Sequence, residues 1–187
     1  FLTFYDNNIQ VSKALNPRGF ISPIADNALS FYRYRYLGSF TENGKTVNRV
    51  MVIPRRQYEP LFSGLINIIE DDWRIYSIDL MLTKSSQMEL ADTLKIEQLY
   101  VPVDKDVWMI QSQVLYPSVK ILGFDAKGSF VSVYNNYKLN PELDKKLFNN
   151  IIVKYDSGSN KKPRDYWNDV RPVPLLNDEV LDYIKKD

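Results

Sequence analysis

The chain contains neither histidine nor cysteine in its 187 residues, and that absence decides most of what its side chains can do chemically. Without imidazole there is no Ser-His-Asp triad and no histidine zinc ligand. Without thiol there is no cysteine nucleophile, disulfide or structural cysteine zinc site. Carboxylate, Lys, Tyr, Ser and Thr chemistry remains. Three groups of residues could carry it. Glu70, Asp71 and Asp72, with Asp79 nearby, have the composition of a carboxylate pair for proton transfer or of a calcium site. Adjacent acids in a hairpin turn ordinarily face water, and no Asp-x-Asp-x-Asp-Gly loop accompanies them, so we assign no catalytic residue, metal or cofactor here. Arg33, Arg35, Arg49, Arg55 and Arg56 would form an anion patch if neighbouring strands presented them on one face. The alternative is pairing with carboxylates at a sheet edge. Tyr32, Tyr34, Tyr36 and Phe40, with Trp73, Trp108 and Phe130, would either line a groove for an acyl chain or peptide, or form the core where a sheet face packs on helices.

The elements that position these groups are strands. In Phe31 to Phe40, Tyr32, Tyr34 and Tyr36 alternate with Arg33 and Arg35, the period of a strand with one buried face. Asn43-Gly44 supplies the positive φ angles of a tight hairpin, and the strand that follows runs out to Pro54. Phe62 to Ile69 and Trp73 to Leu82 repeat the device across Glu70-Asp71-Asp72. Thr93 to Val103, Val107 to Tyr116 and Lys127 to Tyr137 complete seven strands, with Pro117-Ser118 expected to interrupt or bend the sixth. Short turns between so many strands predict a mainly β fold: a strongly curved antiparallel meander or half-open barrel, with short helices at both termini.

The N-terminal helix is expected within residues 1–13, where Phe1, Phe4, Tyr5 and Ile9 approach helical spacing before Asn16-Pro17 breaks the pattern. Leu139 to Phe148 is expected to open as a short helix and Ile151 to Tyr155 to add a strand. Ser157 to Pro163 lacks apolar residues and reads as a linker. We therefore expect a sheet domain over 1–156 and a lead-out segment over 157–187. The lead-out combines a helical turn at Asp165 to Val170, the stiffened connector Arg171-Pro172-Val173-Pro174 and a final helix over Asn177 to Lys186. In that helix Val180, Leu181 and Ile184 form an apolar stripe.

With 44% apolar residues the chain can build a sizeable core, and 13 tyrosines suggest a face of rings whose hydroxyls reach partners. The net charge of +1, from 24 basic and 23 acidic residues, provides no global field for nucleic acid or anionic lipid. No run approaches the roughly 20 apolar residues of a spanning helix. Because the chain begins at Phe1, we read it as a piece of a longer protein.

Six stretches resemble a known pattern: FYDNNI, FISPIADNALSFYRYRYLGSF, VIPRRQYEPLFSGLINIIEDDWRIYSIDLMLT, VDKDVWMIQSQ, YNNYKLNPELDKK and YWNDVRPVPL. They are similar to the middle region of large Bacteroidetes outer-membrane proteins of unknown function, known as carboxypeptidase-regulatory-like-domain-containing proteins. The resemblance implies a periplasmic, non-catalytic binding or interaction module, preceded by an immunoglobulin-like module and followed by a membrane β-barrel. Its expected partners are the rest of that parent chain and a lipid or another envelope protein, with no nucleic acid. The hairpin layout is also similar to lipoprotein-carrier-like half-barrels, which implies an acyl-chain carrier as the alternative. A carboxylate-based envelope hydrolase centred on Asp79 is the second alternative.

Overall fold

The computed structural model describes residues 2–121, 123–142, 157–158 and 161–185. The chain divides into two compact units, Phe1–Tyr137 and Lys138–Asp187. In the first, a two-stranded pair, β1 (Asn8–Ile9) and β2 (Phe20–Ile21), precedes a large antiparallel sheet. That sheet comprises β3 (Tyr32–Glu42), β4 (Lys45–Pro54), β5 (Ser63–Ile69), β6 (Ile75–Thr83), β7 (Thr93–Asp104), β8 (Val107–Ile121), β9 (Phe124–Lys127) and β10 (Phe130–Val133). From β3 to β8 each strand pairs with the next in sequence, and both β9 and β10 pair with β8. The sheet is open, with β3 at one edge.

Turn chemistry explains the meander. Asn43 and Gly44 both adopt positive φ in the β3–β4 hairpin. Between β5 and β6, Asp71 and Trp73 both have positive φ, so Trp73 belongs to the turn and β6 starts only at Ile75. Pro117 does not end β8. Its carbonyl accepts from Gly128 N–H, which places its nitrogen on the side where pairing passes from β10 to β9, and there the missing donor leaves no ladder bond unmade. β8 therefore continues to Ile121, and its last four residues template β9, an eighth strand that the sequence reading had not separated.

Cross-strand pairing sorts the residues into two faces. The register places Tyr34, Val52, Gly64, Leu80, Ile96 and Leu115 in one inward row, and Tyr36, Val50, Ile66, Ile78, Gln98 and Gln113 in the next. Phe4, Ile9, Phe20, Ala25 and Ala28 from residues 2–31 pack over this face against Tyr32, Phe62, Ile78, Leu80, Ile96 and Ile110. Phe62 receives Phe4 and Phe20 at ring-centroid distances of 5.2 and 5.7 Å.

Residues 2–13 form turns, bends and β1 rather than the expected helix. Asparagine side chains take the place of intrahelical bonds: Asn7 exchanges bonds with Asp26, donating to its carboxylate at 2.9 Å and accepting from its N–H at 3.0 Å, and Asn8 donates to Arg18 O at 2.8 Å. Buried side chains of the sheet add further partners. Gln113 accepts from Leu2 N–H at 2.9 Å, Gln98 donates to Leu2 O at 2.8 Å, and Tyr32 donates to Ile21 O at 2.6 Å.

In the second unit, α1 (Arg164–Val170) and α2 (Asn177–Lys185) flank the extended connector at Arg171. Val180, Leu181 and Ile184 are exposed, and Trp167, Leu175, Val180 and Tyr183 line a cleft between the two helices. The expected helix from Leu139 extends beyond the described residues after 142, and the expected strand Ile151 to Tyr155 lies outside them.

Two predictions test this packing. At Gly64 φ is +136°, and an added Cβ would lie 2.2 Å from Asp79 O, so Gly64→Ala should lower stability by about 2 kcal/mol or more in denaturant melts. Burial raises the phenol pKa of both Tyr32 and Tyr100 above the usual range. Folding then retains protons that the unfolded chain releases. Their stabilising contribution is therefore complete below the unfolded value of about 10 and declines as pH rises through and beyond it. Thermal melts against pH should show this alkaline fall, and Tyr32→Phe and Tyr100→Phe should each flatten it.

Candidate functional site

The aromatic residues separate by face and by end of the sheet. Tyr32 is fully buried; its hydroxyl donates to Ile21 O and accepts from Phe62 N–H at 3.1 Å. The Tyr34 hydroxyl donates to Pro23 O at 2.6 Å, with its ring centroid 6.3 Å from that of Tyr32. Burial raises the Tyr34 phenol pKa as well. Both rings are thus committed to holding residues 21–23 on the sheet. Tyr36 is 63% exposed, Trp73 76% and Phe130 64%, and they stand on different strands and turns. Phe40 meets Tyr76 edge-on at 6.1 Å, and Tyr76 joins Trp108, Pro102, Val47 and Ile69 around a cavity of about 150 Å³ at the hairpin end. The Lys45 ammonium lies 5.7 Å from the Trp108 ring centre and ion-pairs with Asp72, and that hydrogen bond lowers the Asp72 pKa. The seven aromatics therefore do not line one groove. The middle of the inward face is occupied by residues 2–31, while Tyr36 and Phe130, in the inward rows toward its two edges, stay exposed.

The five arginines divide by role. Arg55 donates from Nε to Leu29 O and Tyr32 O, both at 2.9 Å, and so clasps the start of β3. Arg56 pairs with Glu59 at 2.9 Å. Arg33, Arg35 and Arg49 share the outward face of β3 and β4, opposite or beside Ile53 and Met51. All three are exposed, and none of their side chains has a hydrogen bond or ion pair among the described residues. Here sequence parity and structure coincide.

Of the acidic candidates, Asp72 and Asp79 are ion-paired on an open surface, and Glu70 and Asp71 are exposed in the β5–β6 turn. Asp79 and Glu97 are direct cross-strand neighbours, and Lys95 bridges them at 3.2 and 2.6 Å. The Glu97 hydrogen bond is the main cause that raises the Lys95 pKa. The Tyr116 hydroxyl meets the other Glu97 oxygen at 3.4 Å. This arrangement offsets like-charge repulsion across β6 and β7. It does not form a cleft with a free acid and a free base.

Where β4 and β6 end and β5 begins, Arg55, Arg56, Tyr58, Glu59, Ser63, Thr83, Ser85 and Ser86 line an open polar cleft of about 440 Å³. Tyr58 has φ +62° at its rim and Gln87 has φ +57°; the Gln87 amide donates to Tyr58 O at 2.6 Å. Its hydroxyls and paired charges suit a hydrated polar ligand rather than an acyl chain. The clustering of Arg55-Arg56 and Ser85-Ser86 at strand ends was the available signal, but only the fold brings the two ends together.

A family match covers residues 1–137. The chain belongs to the family of unknown function DUF5686. The matched region and the first compact unit have the same limits, so the sheet and its docked N-terminal segment together are what the family describes. No curated protein and no solved structure matches the chain.

The division among arginines is directly measurable. Arg55→Gln should lower stability by about 1 kcal/mol, through the two carbonyls it leaves unpaired. Arg33→Gln, Arg35→Gln and Arg49→Gln should each stay within about 0.5 kcal/mol of the parent in denaturant melts.

Proposed function

We propose that this chain is a non-catalytic interaction module of a larger outer-membrane protein, held on the periplasmic side between an immunoglobulin-like module and a membrane β-barrel. The observation that carries the binding role is the division of the sheet's two faces. The core of its inward face is taken up by residues 2–31 of the same chain, which supports binding through the outward face and the β3 edge rather than enclosure of an acyl chain. The unpaired Arg33, Arg35 and Arg49 supply charge on that surface without serving the fold. Placement in the envelope rests on the sequence resemblance to Bacteroidetes outer-membrane proteins. A chain without His or Cys, in which the Asp79 carboxylate is engaged by Lys95, supports the non-catalytic reading.

Native mass spectrometry of the purified chain tests the binding mode, with the unliganded mass expected. A stoichiometric fatty acid would favour the acyl carrier instead. Turnover of an envelope glycan or peptide, abolished by Asp79→Asn, would favour the hydrolase. Fractionation of cells producing the parent protein should place it in the outer membrane, and recovery in the cytoplasm would overturn the placement.

A further inference from the structure

We propose that the free edge of β3 is a docking site for an acidic extended segment of a partner protein, which joins the sheet as an additional strand. This deepens the interaction-module reading and rests on it. β3 is the terminal strand of the sheet order. Arg55 N–H donates to Phe31 O at 2.8 Å, which fixes the alternation of the antiparallel pair. Arg33 and Arg35 turn their backbone groups toward Ile53 and Met51, while Tyr34 and Tyr36 turn theirs away from the sheet. The same alternation points the Tyr32 carbonyl outward, and there Arg55 Nε caps it at 2.9 Å. At the other limit, register shifts between Tyr36 and Ser39, so a bulge at Leu37-Gly38 ends the regular edge. Between cap and bulge lie two outward N–H groups and two outward carbonyls, spaced to receive a short strand.

Side chains decide which strand can enter. On the outward face, Arg33 and Arg35 flank the open backbone groups, with Arg49 behind them on β4, and none of the three is neutralised among the described residues. A second copy pairing edge to edge would bring Arg33 and Arg35 against the same two arginines, a like-charge arrangement that opposes self-association. A strand with carboxylates at alternate positions gains both ladder bonds and charge pairing. Its intervening side chains would fall beside Tyr34 and Tyr36, where the 63% exposed Tyr36 ring favours apolar residues. The partner segment is therefore acidic and apolar in alternation.

The defined probe is a heptapeptide of alternating Glu and Val, blocked at both ends, added to the chain and followed by amide NMR. Tyr34 and Tyr36 amides should shift and gain exchange protection, and binding should weaken with salt. The Lys-Val peptide should not bind, and the double variant Arg33→Glu/Arg35→Glu should lose affinity about tenfold while melting normally. Peptide binding that leaves Tyr34 and Tyr36 unchanged would overturn the site. A photo-crosslinking amino acid placed at Tyr36, and separately at Tyr116 in the middle of the outward face, then tests the parent protein in cells. Crosslinks from Tyr36 to an alternating acidic segment, mapped by mass spectrometry, are the expected result. Crosslinks from Tyr116 alone, or from Tyr36 to a neutral or basic segment, overturn the edge proposal but leave the interaction module standing. Crosslinks from neither position overturn both.

Discussion

Everything in the first unit depends on burying an irregular backbone without leaving its polar groups unpaired. A helix pairs its own backbone groups and a strand pairs with its neighbour, whereas a coil buried against a sheet must find partners elsewhere. Residues 2–31 find them on the sheet's inward face, where Gln98 and Gln113 are buried among apolar neighbours. The Gln98 amide donates to both Leu2 O and Gln113 Oε1 at 2.8 Å, and Tyr100 donates to Gln98 Oε1 at 2.9 Å. Ser22 Oγ, fully buried, donates to Phe4 O at 2.6 Å. The atoms of Leu2, Gln98, Gln113 and Tyr100 form a connected set, which allows them to lie within a hydrophobic core without a large desolvation penalty.

Much of the sheet was legible because its local signals agree with one another. Alternation in β3, the Asn43-Gly44 turn, Pro54 at the end of β4 and the acidic β5–β6 turn all specify the same antiparallel meander. The failures have identifiable causes. The N-terminal apolar spacing fits a helix, yet Asn7, Asn8 and Ser22 hydrogen-bond to distant parts of the chain, and tertiary partners overrode the local period. Pro117 read as an interruption because a sequence does not reveal which side of a strand is unpaired. Gln98 and Gln113 would face water by polarity alone; only the docked backbone explains their burial.

The candidate site was legible in composition but not in assignment. Tyr32, Tyr34 and Tyr36 lie on one face, as their spacing requires, but parity does not say whether that face is covered by ligand or by the chain itself. The outcome changes along the strand, from the buried Tyr32 to the exposed Tyr36. Likewise Arg33, Arg35 and Arg55 have the same chemistry and differ only in what lies nearby. Arg55 reaches two carbonyls because the chain at Leu29 turns back past the end of β4, a proximity set by tertiary structure.

The distances along the chain spanned by the N-terminal clasp impose an order of assembly. Leu2 bonds to Gln98 and Gln113 across 96 and 111 residues, whereas the hairpins from β3 to β8 close over short loops. Short loops close at low entropic cost, so the sheet can zip strand by strand while the residues that begin this unit wait for a platform made much later in the chain. Until β7 and β8 are in place, the backbone of Leu2 lacks both of its glutamine partners. Completion of the domain is therefore the return of its own beginning, and a chain built this way must keep that early, apolar segment solvated until the far strands are in place.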